Sequence, residues 1–379
     1  MSTRREQEIQ KAAAIKSYLS KKADEKRESD EVFVNRRVAN SMTRETLFVE
    51  DMEGALKRVF SKPVVRAAGF ARKKSRKSIA RILNLANSDL HFHSLLNAKE
   101  VPTAFGPVEE ARRFASVLLQ ASEYKTHYRD NTALYLHMFG DMILGELHDP
   151  REGANLTQQF AAATYYFIQG ISFLAEHFPQ VVVNCVPGNH GRRKGRHFDR
   201  ATSEKWDSYE NMIYFAAKMG VAPLRNVQIN IPYTPYYTYK AFNKTGFVTH
   251  GDTVLDVGFP SDTINIKKIR GQINEFNSSE AEKSDLFMVG HVHTACTVEI
   301  PSGPTFVSNG ALIPPDPYAI SRGHHHTNCG QQLFESVENY ICGDHRFLKV
   351  GKAQDEDSSL DYIIKPYSGF EVDSPLKKK

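Results

Sequence analysis

Five short polar strings in this chain carry side chains that bind divalent metals, and each follows an apolar run. Ile79–Leu85 leads into Ser88-Asp89-Leu90-His91, and Leu134–Phe139 leads into Gly140-Asp141. Val181–Val186 leads into Pro187-Gly188-Asn189-His190. Phe247–Val248 leads into Thr249-His250-Gly251-Asp252, and Leu286–Val289 into Gly290-His291-Val292-His293. Carboxylate, imidazole and amide oxygen without thiolate make a borderline-to-hard donor set suited to manganese, iron or zinc. Asp89 with His91, and His291 with His293, lie two apart, so on an extended segment both members of a pair point the same way. The glycines at 140, 188, 251 and 290 let the backbone turn sharply beside the donors. A single Gly-Asp or a single histidine needs no functional explanation. Five such strings in series, each at a strand end, do.

The elements that must position these donors follow from the apolar periodicity. Val108–Tyr124, Leu156–Phe178, Ser203–Met219 and Ile264–Asn277 read as helices. Ile79–Leu85, Ala133–Phe139, Val181–Val186, Val227–Ile231, Tyr236–Ala241, Gly246–Thr249 and Leu286–Val289 read as strands. Strands alternating with helices indicate an α/β protein, and the closely spaced later strands indicate a second, partly antiparallel sheet. The expected fold is a layered α/β/β/α sandwich with a small N-terminal helical appendage. Residues 1–78 form the charged appendage, 79–352 the sandwich and 353–379 a C-terminal tail. In such a fold, residues at the carboxyl ends of strands converge on one sheet edge, where ligands bind.

Composition narrows the setting. The 379 residues are 41% hydrophobic and 25% charged, an ordinary soluble balance without a fixed-period repeat. No apolar stretch indicates a membrane span, and Met1 to Asp30 lacks the apolar core of a secretory signal. Cys185, Cys296, Cys329 and Cys342 lie far apart, which argues against a zinc ribbon or disulfide scaffold. The expected location is therefore the cytoplasm, that of the host for a phage-encoded chain. The net charge of +5 is mild, but Lys57 to Arg81 holds ten Lys or Arg and no acid. A block this one-sided is a solvated face or a contact for a polyanion, nucleic acid being the commonest.

In order and type the five strings resemble the calcineurin-like metallophosphoesterase superfamily, whose motif order is DxH, GD, GNH, H and GHxH. The resemblance spans roughly Ile79 to Ile313. Within it, the finer likeness is to a phage- or bacterium-encoded nuclease or phosphodiesterase. It implies two divalent ions, manganese favoured, with iron or zinc as alternatives. Asp89, His91 and His293 would bind one ion, Asn189, His250 and His291 the other, and Asp141 would bridge them. His190 would be the catalytic histidine that is not a ligand, contacting phosphoryl oxygens or protonating the leaving group. The implied reaction is phosphoester hydrolysis by a metal-bound hydroxide. Asp252 and Asp256 are candidates by position for orienting the imidazoles. Two positions depart from the pattern: Leu144 and Gly191 stand where an acidic partner for His190 is expected, leaving Glu146 or Asp149 as substitutes. The GDxxDRG and RGNHE strings of serine/threonine protein phosphatases are missing.

Substrate readings rest on the neighbouring segments. The loop Gly191 to His197 is basic, and Arg192, Arg193 and Arg196 are expected to contact substrate phosphates. The tyrosine-rich run Ile231 to Tyr239 either packs its rings in a strand, the favoured reading, or stacks bases. His324, His325 and His326 read as an exposed loop, and Lys377 to Lys379 as a basic tail. The expected activity is a phosphodiesterase or nuclease acting on DNA or RNA. The alternative is hydrolysis of small nucleotides or other small phosphoesters. A non-catalytic scaffold is disfavoured, because it has no reason to keep every metal donor.

Overall fold

Runs of β-branched and aromatic residues bounded by Gly, Pro and Asn give two sheets. The computed structural model describes residues 78–124, 131–147, 153–192, 205, 207–257, 264–321, 323, 328–351 and 357–368. The expected appendage, the C-terminal tail beyond 368, Arg193, Arg196 and His324 to His326 lie outside the described residues. The first sheet contains β1 (Arg81–Asn87), β2 (Thr132–Phe139), β3 (Val181–Val186) and β4 (Val227–Asn230) as parallel neighbours. The second contains β5 (Tyr236–Ala241), β6 (Lys244–Thr249), β7 (Leu286–Val289), β8 (Cys296–Glu299) and β9 (Thr305–Ser308), in the order β5-β6-β7-β9-β8. Two last strands, β10 (Gly330–Ser336) and β11 (His345–Lys349), return to the first sheet and extend it antiparallel beyond β1.

Four main helices cross between strands: α1 (Pro107–Glu123), α2 (Leu156–His177), α3 (Tyr209–Gly220) and α4 (Ile266–Ser279). A short α5 (Pro317–Ser321) follows. Asn155 caps α2 by accepting from the Gln158 amide at 2.9 Å, and Ser208 caps α3 by accepting from the Glu210 amide. The α/β two-sheet sandwich is the expected fold, and most element bounds fall within two residues of those read from the sequence. The third helix is the exception: it starts at Tyr209, because Ser208 takes the extended cap conformation (φ −121°, ψ 139°). No helix among the described residues is long and apolar enough to cross a membrane.

Between the sheets, β1, β2 and β3 give Ile82, Ala86, Phe139 and Val186 to a core shared with Val248, Leu286, Met288 and Val307. Tyr237 and Tyr239 of the tyrosine-rich run are buried there, so this part of the run packs its rings. A polar network crosses the same core. His137 Nε2 lies 3.0 Å from Asn84 Oδ1, its Nδ1 meets the Tyr237 hydroxyl, and Asn84 donates to Ser336 Oγ at 2.8 Å.

Burial pushes the His137 imidazole down to about 3, so it stays neutral in the folded protein. An unfolded histidine titrates near 6.5. Between those values the unfolded chain binds the extra proton, so stability is full above about pH 6.5 and is lost as pH falls towards 3. The loss reaches roughly 1.4 kcal/mol per pH unit at most. Urea unfolding at pH 7 and pH 5 should therefore show a smaller pH penalty in His137→Gln than in wild type. Equal penalties would remove His137 from the account.

Candidate metal centre

Loops leaving β1, β2 and β3 meet loops leaving β6 and β7, and the strand order makes this convergence necessary. The first three strands are adjacent and parallel, as are β6 and β7, so each set ends on one edge. The loops are stitched together: Asp89 N–H donates to the Gly140 carbonyl at 3.0 Å and His91 N–H to the Asp141 carbonyl at 3.0 Å. Gly290 N–H donates to the His250 carbonyl at 2.8 Å. Asp89, His91, Asp141, His291 and His293 all have positive φ, between 47° and 72°. Left-handed backbone is unfavourable for such residues and persists only where surrounding contacts enforce it. Here the rewarded feature is the aim of the donors.

Three groups of donor atoms result, each with its members within 4.8 Å of one another: Asp89, His91 and His293; His91, Asp141 and His190; Asp141, His250 and His291. Asn189 joins the third, its Oδ1 lying 3.0 Å from His250 Nε2. All seven expected ligands and His190 are thus brought to one place. His250 Nε2 lies 3.0 Å from Asp141 Oδ2, His91 Nε2 3.3 Å from His293 Nε2, and His293 Nε2 3.4 Å from Asp89 Oδ1. Donors sharing one ion at bonds of about 2.1 Å sit roughly 3.0–3.4 Å apart. These side chains fit divalent metal ions.

The electrostatics agree. Burial would raise the Asp141 carboxyl, but His250 and His190 hold it well below the usual carboxylate range. Burial would lower the His250 imidazole, but Asp141, then Asp89 and Asp252, raise it to about 10. His250 Nδ1 donates to the Phe139 carbonyl at 2.8 Å, which aims Nε2 at Asp141. Carboxylate and imidazole thus face each other across 3.0 Å, with Asn189 Oδ1 3.0 Å from the same nitrogen. His291, buried and beside the charged His250, is lowered to about 4.

Several supporting groups escaped the sequence reading. Glu210, fully buried in the first turn of α3, accepts from Met142 N–H and Gly188 N–H at 2.6 Å each. One carboxylate thereby fixes the loops of Asp141 and Asn189 together. A helix start favours an acid, but Ser208-x-Glu210 alone does not say what the acid will reach. Gly188 is required for a separate reason: a Cβ there would lie 2.1 Å from Asp141 Oδ1. His190 Nδ1 lies 2.7 Å from the carbonyl of Leu144, and its Nε2 lies 3.9 Å from Asp141 Oδ2. The apolar residue at the departing position thus serves through its backbone, while Glu146 is exposed and Asp149 lies outside the described residues.

Of the second-layer candidates, Asp252 is inside the protein, paired with Lys205 Nζ at 2.8 Å, whereas Asp256 pairs with Lys268 at the surface. Arg192 turns back, its Nε donating to the Asn189 carbonyl at 2.9 Å. Arg81, the last residue of the basic block, is an ion-pair partner of Glu335 inside the first sheet.

Solved structures of similar arrangement include a predicted phosphoesterase from Streptococcus pneumoniae, 12% identical, covering 72% of this chain and 100% of that one at TM-score 0.30. Vps29 of Entamoeba histolytica, complexed with zinc, is 12% identical over 71% of this chain and 98% of that one, TM-score 0.29. Phosphopantetheinyl hydrolase of Mycobacterium tuberculosis is 11% identical over 62% and 91%, TM-score 0.25. No family model matches the sequence, and no curated protein matches it. In fold and in the order of its donor strings the chain resembles the calcineurin-like metallophosphoesterases. Its His/Asp clusters could hold divalent metal ions.

Glu210→Gln keeps the size of the side chain but can accept well from only one of the two amides. Manganese affinity, read by titration calorimetry, should fall roughly 10–100-fold with the circular dichroism unchanged. Wild-type affinity in this variant would show that Glu210 does not position the centre.

Proposed function

We propose that the protein is a two-metal phosphodiesterase acting on nucleic acid. The observation that carries the metal part is the position of Asp141, whose carboxylate belongs to two of the three donor groups. Asp89, His91 and His293 would hold one ion, Asn189, His250 and His291 the other, with Asp141 touching both. When bound, such ions polarise a phosphoryl oxygen and supply a nucleophile at neutral pH. That role needs no serine or cysteine nucleophile.

The remaining steps fall to the side chains. His190 gives Nδ1–H to the Leu144 carbonyl, and its Nε2 faces Asp141 Oδ2 at 3.9 Å, beside the donors where a phosphoryl group would sit. Charged, it donates to a phosphoryl or leaving oxygen and stabilises the charge that develops there. Its amide donates to Asp141 Oδ1 at 2.8 Å, so His190 and the carboxylate that would contact the ions are held in register. Asp252, held ionised by Lys205 and the neighbouring imidazoles despite its burial, adds negative charge behind His250 and His291. Nucleic acid is favoured as substrate by the nine basic residues from Lys57 to Lys77, Arg81 being taken up by Glu335, and by the basic loop containing Arg192, Arg193 and Arg196. Burial of Tyr237 and Tyr239 favours the second reading, a small phosphoester, because it removes two rings that would stack bases.

The test is manganese-dependent hydrolysis of a chromogenic diester, a chromogenic monoester and single-stranded DNA by wild type and Asp141→Asn. The diester and DNA should be cleaved, with a loss of roughly 10²–10³-fold or more in the variant. Cleavage of the monoester alone would keep the metal centre and replace the substrate class. Equal activity of both proteins would overturn the metal assignment.

A further inference from the structure

A cavity lies beside the segment whose Leu312 amide bonds the Asp89 carbonyl. Its volume is about 200 Å³, and it is lined by Thr103, Arg113, Asn328, Cys329, Lys349 and Gly351, among others. Arg113, on α1, is 2% exposed, and burying a guanidinium is costly unless a counter-charge accompanies it. None does among the described residues. Nη1 donates to the Leu312 carbonyl at 3.0 Å, the Cys329 thiol is a second neutral neighbour, and one face lies 5.1 Å from the Phe105 ring centroid. The Nε–H is buried without an acceptor.

The side towards the cavity is kept bare by a glycine. Gly351 has φ +86°, and a Cβ there would sit 3.6 Å from both Cζ and Nη2 of Arg113, where any longer side chain would cover the guanidinium. Lys349, two residues earlier, brings a second positive charge to the wall and forms no ion pair among the described residues. Thr103 and Asn328 add a hydroxyl and an amide. Two cations, neutral donors, a buried unpartnered N–H and a gap held open by glycine describe a receptor for an oxyanion.

We propose that this cavity is an anion site that takes a phosphate group between the Arg113 guanidinium and the Lys349 ammonium. It is linked to the metal centre. Leu312, whose carbonyl Arg113 holds, donates its own N–H to the Asp89 carbonyl at 3.0 Å. Two hydrogen bonds and one residue separate the guanidinium from the Asp89 backbone, a span of under about 10 Å. The phosphate has two sources: the far end of a substrate seated at the metal centre, or a free phosphate compound acting through the Leu312 peptide.

Inorganic phosphate is the probe, titrated calorimetrically into the full chain carrying Asp141→Asn, which disables the metal centre as a competing site. Binding should persist there and weaken at least tenfold when Lys349→Gln or Arg113→Gln is added. Lys349 is exposed, so its variant stays informative if loss of the buried arginine unfolds the protein. No binding in Asp141→Asn, or binding indifferent to Lys349→Gln, would overturn the site. Neither result depends on whether any ester is hydrolysed. With binding shown, rates on a single-phosphate chromogenic ester separate the sources. An effector changes kcat in wild type and not in Lys349→Gln. A distal substrate phosphate leaves that ester unaffected and raises KM in Lys349→Gln only for substrates bearing a second phosphate.

Discussion

The contact between Asp141 and His250 is the constraint on which the rest of this structure depends. It joins the end of β2 in one sheet to the end of β6 in the other, at 3.0 Å between carboxylate oxygen and ring nitrogen. Both side chains are buried, and each alone would be an expensive charge to hold away from water. Side by side, the carboxylate raises the imidazole and the imidazole lowers the carboxyl, each offsetting the cost of burying the other. The left-handed backbone at five donor positions, the missing Cβ at Gly188 and the buried carboxylate of Glu210 all serve to bring these loops this close.

Much of this was legible in the sequence because the signal is local. An apolar run ending in Gly-Asp or Gly-Asn-His states both the strand and the donor at its end, and parallel neighbours then bring such ends together. The same logic fails where a residue acts through distance. Glu210 reads as an ordinary acid in a helix start; its role appears only when α3 is docked against the β2 and β3 loops. Leu144 lacks the expected acidic side chain, yet its carbonyl meets His190 Nδ1 at 2.7 Å.

The late strands were hidden for another reason. β10 reads Gly-Gln-Gln-Leu-Phe-Glu-Ser, a poor apolar pattern, yet all seven residues are buried. Gln331 bonds the Ser88 amide and Asn309, and Glu335 pairs with Arg81, so polar residues face polar partners in the interior. Hydrophobic periodicity does not see a strand whose burial is satisfied by hydrogen bonds. The tyrosine-rich run shows the reverse: its aromatic content suits nucleic acid stacking equally well, and only the packing of Tyr237 and Tyr239 against His137 decides their fate.

Anomalous diffraction from crystals grown with manganese tests the central claim most directly, since it locates metal without relying on turnover. A two-metal centre gives two peaks, one among Asp89, His91 and His293 and one among Asn189, His250 and His291, with the Asp141 carboxylate contacting both. A single peak with Asp141 turned away, or none at saturating metal, would contradict it.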